Sequence, residues 1–177
     1  MAASHEQDHR RISVGIVTIS DKASRGQRED RGGPTIARIV GADGMEVAES
    51  LIVADEQAEI GDELARLADE RDLDVVFTTG GTGLTPRDVT PQATLAAIDF
   101  EVPGLAEAMR AASLAKTPAA MLSRAVCGVR HRTLIVNLPG SPKGARECLE
   151  AIMPALPHAV STLRTEVGDH LAPTGPA

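Results

Sequence analysis

A chain of 177 residues has the length of one domain with a core of its own. Its 18 Lys and Arg against 25 Asp and Glu leave a net charge of −7, which argues against nonspecific binding to nucleic acid or an anionic membrane. Phe77 and Phe100 are its whole aromatic complement, too few for a base-stacking array, and no apolar run approaches the roughly 20 residues of a membrane span.

Met1 to Arg11 is polar and without an apolar secretory segment, so a flexible N-terminus over 1–11 and a cytoplasmic location are expected. His5-Glu-Gln-Asp-His9 matches the His-Glu-x-x-His zinc pattern, but the segment has no apolar face to bury beside a cleft, so no chemistry is assigned to it. Ile12 to Ile19, β-branched and largely apolar, reads as a strand covered on both faces, and Pro34 stands where a helix can open. Glu46 to Val53 gives a second strand. In Glu56 to Arg71 the apolar Ile60, Leu64, Leu67 and Ala68 recur at helical spacing.

Leu73 to Thr79 is a third strand, ended by Gly80-Gly-Thr-Gly83. Thr90-Pro91 signals a cap and first turn, and Pro103 opens a helix to about Lys116. Arg132 to Leu138 makes the fourth strand, followed by Pro139-Gly-Ser-Pro142, a helix near Gly144 to Ile152 and a break at Pro154 and Pro157. Met109, Leu114, Met121 and Met153 are expected in the core, Cys127 and Cys148 as buried thiols, and 165–177 as a flexible tail. Alternating strands and helices over 12–164 imply one α/β domain, a three-layer α/β/α arrangement with a mostly parallel central sheet.

In such sheets ligands bind beyond the carboxyl ends of the strands. Here those ends run into Ser20-Asp21, Asp55, Gly80 to Gly83, and Asn137 to Ser141. Thr78-Thr-Gly-Gly-Thr-Gly83 can turn several N–H groups toward one anion, or can be an ordinary glycine turn; it is neither a Walker loop nor a dinucleotide fingerprint. Asp55 reads either as the N-cap of the following helix or as a metal ligand. Asp88, with Thr90 taken as the cap, has no evident structural role, and two carboxylates beside a phosphate loop suit magnesium. Arg87 can clamp a phosphate or lie solvated, and Asp21 is either a third acidic member or a turn residue. Ser123 and Ser141 can donate to a phosphate or a polar ring, but neither lies in a nucleophile elbow.

Taken in order, Thr18-Ile-Ser-Asp21, Ser24-x-Gly26 with Asp30 and Pro34, Asp55-Glu56, Thr78 to Gly83, Arg87-Asp-Val-Thr-Pro91, Pro103-Gly104, Leu122-Ser-Arg124 and Asn137-Leu-Pro-Gly140 resemble the molybdopterin adenylyltransferases. These are the Mog-type bacterial enzymes and the matching domains of gephyrin and plant molybdenum-cofactor proteins. The resemblance covers about residues 12 to 164 and implies a homotrimer that uses Mg2+ to transfer AMP from ATP to molybdopterin, releasing pyrophosphate. A separate protein would then insert molybdenum. It further implies Asp55 and Asp88 as catalytic residues and metal ligands. Substrate and phosphate contacts are expected from Ser20, Asp21, Thr79, Gly80, Gly81, Thr82, Gly83, Arg87, Ser123, Arg124, Pro139, Gly140 and Ser141. Lys143 and the helix N-termini would add positive potential. The rival readings are a noncatalytic paralogue that binds molybdopterin or nucleotide, and a trimeric scaffold.

Overall fold

A computed structural model describes residues 10–165. The strand expected first forms β1 (Ser13–Ile19), and β2 (Glu46–Val53), β3 (Val75–Thr79), β4 (Phe100–Glu101), β5 (Cys127–Arg130) and β6 (Thr133–Leu138) join it in one sheet. The spatial order is β2-β1-β3-β6-β5-β4. β2, β1, β3 and β6 are mutually parallel, while β5 pairs antiparallel with both β6 and β4. Interspersed are α1 (Asp21–Ser24), α2 (Gly32–Ala42), α3 (Gln57–Asp69), α4 (Thr90–Ala97), α5 (Pro103–Leu114), α6 (Pro142–Ile152) and α7 (Leu156–Arg164).

The period of two along each central strand sends alternate side chains to two separate cores. Val14, Ile16, Phe77, Leu134 and Val136 pack beneath α2, α5, α6 and α7 through Ile36, Met109, Leu149 and Leu156. Val17, Ile19, Val76 and Ile135 pack against Ile60, Leu64 and Leu67 of α3 and Ala93 of α4. The result is the expected three-layer α/β/α arrangement with a mostly parallel sheet. Burial of both faces is why β1, β3 and β6 read as continuous apolar runs. β2 is an edge strand, and its burial alternates with exposure.

Six strands form where four were expected. β4 has two exposed residues, and β5 contains Gly128, where a Cβ would lie 2.4 Å from the Ile98 side chain and 2.7 Å from the Phe100 carbonyl oxygen. Such short elements exist through pairing, which periodicity does not reveal. α6 ends at Ile152, and the expected break follows, with Pro154 in a 3-10 turn over Met153–Ala155. Pro157 lies in the first turn of a further helix, α7, where its missing N–H is dispensable. Pro34 likewise falls inside the first turn of α2, which begins at Gly32. Met109 is buried and Met153 partly so, but Leu114 and Met121 are exposed, correcting their assignment to the core.

Both cysteines are buried and free. Burial pushes the Cys127 thiol up to about 12 and raises Cys148 as well. Among the described residues no helix is long and apolar enough to cross a membrane. The His5 to His9 motif and residues 166–177 lie outside the described residues.

Candidate active site

Strand register assembles the site. Ile19 of β1 is level with Val53 of β2, Thr18 with Thr79 of β3, and Thr79 with Leu138 of β6. The four segments after these residues therefore emerge side by side at one end of the sheet. Ser20, at the first of them, donates its N–H to the Val53 carbonyl at 2.9 Å and caps α1 by accepting from the Ala23 N–H at 3.2 Å.

The loop after β3 needs its glycines. Gly80 and Gly81 have φ of 108° and 64°, in the left-handed region. A Cβ on Gly80 would lie 2.3 Å from the Ile19 carbonyl oxygen, and one on Gly81 would lie 2.2 Å from Thr90 Oγ1. Thr90 donates its hydroxyl to the Gly80 carbonyl at 2.9 Å and its N–H to the Gly81 carbonyl at 3.1 Å. The expected cap therefore points backward to brace the loop. Val89 is the residue that precedes α4, and it makes no side-chain cap bond. Thr79 donates to the Pro139 carbonyl at 2.8 Å, and a Cβ on Gly140 would lie 3.2 Å from the Gly80 Cα. The two loops are thus packed backbone to backbone.

Asp55 and Asp88 lie along this loop. A Cβ on Gly81 would stand 3.4 Å from Asp55 Oδ1, and one on Gly83 would stand 3.0 Å from Asp88 Oδ2. Asp55 is not a cap of α3, because Glu56 takes that position without a side-chain bond. Its carboxylate instead accepts the Asp21 N–H at 2.7 Å, while its own N–H donates to Asp21 Oδ1 at 3.3 Å. Asp88 does hold local structure, since Oδ2 accepts the Thr85 N–H at 2.8 Å. Asp21 opens α1, and its carboxylate binds Arg87 at 2.9 Å; Arg87 also reaches Glu56 at 2.8 Å. The hydrogen bond from Arg87 holds the Asp21 carboxyl below its usual range. Burial raises Asp55, and the neighbouring Asp21 and Asp88 charges add to that rise.

Arg124 wraps the same loop. It donates its backbone N–H to Thr82 at 3.1 Å and its guanidinium to the carbonyls of Gly83, at 2.7 Å, and Asp88. Ser123 accepts the Ala125 N–H at 3.3 Å, and Ser141 caps α6 through the Gly144 N–H at 3.1 Å.

Two clefts flank the paired loops, and Ser141 lines both. One, of about 440 Å³, is polar and takes in Ser20, Arg28, Arg31, Thr79, Gly81 and Gly140. The other, of about 340 Å³, lies between α5 and α6 and takes in Thr82, Gly83, Ser123 and Pro139 together with Met109 and Glu147. Arg28, Arg31, Met109 and Glu147 carried no sequence signal for a site. Met109 and Glu147 reach their cleft through the packing of α5 on α6, as when Ser113 comes within 3.4 Å of Cys148 Sγ, whereas Arg28 and Arg31 stand on the loop between α1 and α2. Asp55, Asp88 and Arg87 line neither cleft, and the structure brings them together with Asp21 beside the glycine loop.

An α/β/α sheet with a glycine loop and carboxylates at its carboxyl end defines a ligand-binding class, and comparison narrows it. Residues 15–158 match the model of the probable molybdopterin binding domain, and the chain belongs to that family. It is 44% identical over 154 residues to the molybdopterin adenylyltransferase of Helicobacter pylori, covering 86% of this chain and 88% of that protein. To the Escherichia coli K12 molybdopterin adenylyltransferase it is 45% identical over 147 residues, 81% of this chain and 75% of that one. The molybdopterin biosynthesis enzyme MoaB from Thermus thermophilus superposes with a TM-score of 0.82 at 55% identity, over 86% of this chain and 96% of the other.

Proposed function

We propose that this protein is a molybdopterin adenylyltransferase of molybdenum cofactor biosynthesis, transferring AMP from ATP to the terminal phosphate of molybdopterin and releasing pyrophosphate. The observation that carries the reading is the convergence of Asp55 and Asp88 on one glycine loop flanked by two clefts. Retention of both carboxylates favours catalysis over a noncatalytic paralogue or scaffold.

In the reaction an oxygen of the molybdopterin phosphate bonds to the α-phosphorus of ATP, and the bond to the bridging oxygen of pyrophosphate breaks. Like charges oppose this approach, so alignment and neutralisation dominate the catalysis. Asp55 and Asp88 would hold Mg2+. The donor set fits: Asp55 is partly desolvated and faces two further carboxylates, a setting that favours a cation. One or two carboxylates together with the substrate phosphates suffice to hold such an ion. Bound there, magnesium supplies charge neutralisation at the phosphates. The Asp21 and Thr85 N–H groups orient the two carboxylates. Thr79, Gly80 to Gly83, Gly140 and Ser141 form the phosphate cradle between the clefts, with Ser20, Asp21, Ser123 and Pro139 on its walls. Arg87 and Arg124 supply positive charge beside it, local to a chain of net −7.

The working form is a cytoplasmic homotrimer that hands adenylylated molybdopterin to a separate metal-insertion protein. Purified protein given ATP, Mg2+ and molybdopterin should form the adenylylated product with stoichiometric pyrophosphate, and failure to do so defeats the reading. Light scattering that gives a monomer of 18.5 kDa defeats the trimer.

A further inference from the structure

The cleft between α5 and α6 has largely apolar walls, including Ala106, Met109, Leu122 and Cys148, and its volume of about 340 Å³ suits one flat bicyclic ring. Two charged side chains break this character: Arg110, whose guanidinium donates to the Ala125 carbonyl at 3.1 Å, and Glu147. Glu147 lines the cleft with its side chain only 14% exposed, and Oε1 pairs with Lys116 Nζ at 3.2 Å, on a lysine that is itself half exposed. Holding a carboxylate in such a wall is unfavourable unless its acceptors are used, and a carboxylate offers about four lone-pair sites where one ammonium engages one oxygen.

We propose that Glu147 is the specificity residue of this cleft and reads the pyrimidinone edge of the pterin. The inference rests on the adenylyltransferase reading, which brings two flat rings to the site. The pterin's 2-amino-4-oxo ring presents adjacent donors, the exocyclic amine and the ring N3–H, which two carboxylate oxygens can accept together. Adenine presents its amine beside the N1 lone pair, which a carboxylate repels. The pterin therefore belongs beside Glu147. The nucleotide falls to the polar cleft across the Gly80–Gly140 contact, where Arg28 and Arg31 stand.

The test measures binding of 6-carboxypterin, 6-carboxylumazine and ATP to the full chain, to Glu147→Gln and to Lys116→Gln. Lumazine replaces the amine with a carbonyl, so a carboxylate partner discriminates against it. The unaltered protein should prefer the pterin by about tenfold or more. Glu147→Gln should lose about tenfold to a hundredfold in pterin affinity and most of the preference, with ATP binding within about twofold of the original. Lys116→Gln, which breaks the ion pair and keeps the carboxylate, should retain the preference. Three results would each overturn the assignment: an unaltered pterin preference in Glu147→Gln, a loss confined to ATP, or equal losses in both variants. Absence of 6-carboxypterin binding to the unaltered protein would do the same. AMP transfer to molybdopterin is followed in parallel. Transfer without any Glu147 effect removes only this inference, whereas a Glu147-dependent pterin preference without transfer removes only the enzymatic reading.

Discussion

Gly81 and Thr90 form a coupled pair whose energy can be worked from the geometry. Alanine at Gly81 would hold a side chain at φ 64°, which costs about 1–2 kcal/mol. Its Cβ would also stand 2.2 Å from Thr90 Oγ1, a contact that drives the hydroxyl off the Gly80 carbonyl it binds at 2.9 Å. Leaving that buried carbonyl without its donor costs about 1–3 kcal/mol, for a total of about 2–5 kcal/mol. Thr90→Ala alone loses the same bond. In the double variant the bond is lost once, and the nearest remaining atom, the residue 90 Cβ, is 3.3 Å away. The double variant should therefore be more stable than the sum of the single losses by about 1–3 kcal/mol. Urea unfolding of the four proteins, with matching m-values, measures this directly. Additivity within about 0.5 kcal/mol would refute the claim that Thr90 braces the loop through Gly80.

The raised pKa of Asp55 sets a sign for pH dependence: the native state holds this proton more tightly than the unfolded chain, so ionised Asp55 opposes folding. As pH rises from the ordinary value of 3.8 through the raised native one, the unaltered protein should lose stability relative to Asp55→Asn, whose amide oxygen can still accept the Asp21 N–H. Denaturation across that pH series showing the variant losing ground instead would contradict the burial argument. Asp55→Asn and Asp88→Asn should each lower adenylyl transfer by about a hundredfold or more while staying folded, as steady-state assays and circular dichroism would show. Arg87→Ala should weaken ATP binding and flatten its salt dependence, since exposed charge is screened over about 8 Å at physiological ionic strength, with little change in stability. Arg124→Ala should weaken binding too, and should also destabilise the fold by about 1–3 kcal/mol by stripping donors from the Gly83 and Asp88 carbonyls. A salt titration that leaves ATP affinity unchanged in both variants would show the positive groups to lie elsewhere.

By itself the sequence determined the architecture, because burial on both faces writes β1, β3 and β6 as apolar runs and one-sided burial writes α3 at helical spacing. It also grouped the candidate residues: glycine, serine and aspartate at four strand ends, in a parallel sheet, have one common edge to occupy, and the strand register sets those ends side by side. Tertiary structure alone decided what those residues contact. Asp55 looked like a cap from its neighbours in the chain, yet its partner is Asp21, 34 positions away. Thr90 looked forward along its helix but is bonded back to Gly80, and Arg124, adjacent to Ser123, is spent on the loop after β3. β5 was likewise illegible, because four residues paired across a hairpin carry no period of their own, and so was the Glu147 cleft, which exists only through the packing of α5 on α6. Local pattern records which face a residue must bury, whereas a hydrogen-bond partner or a cleft wall is chosen in three dimensions, and the chain carries no mark of it.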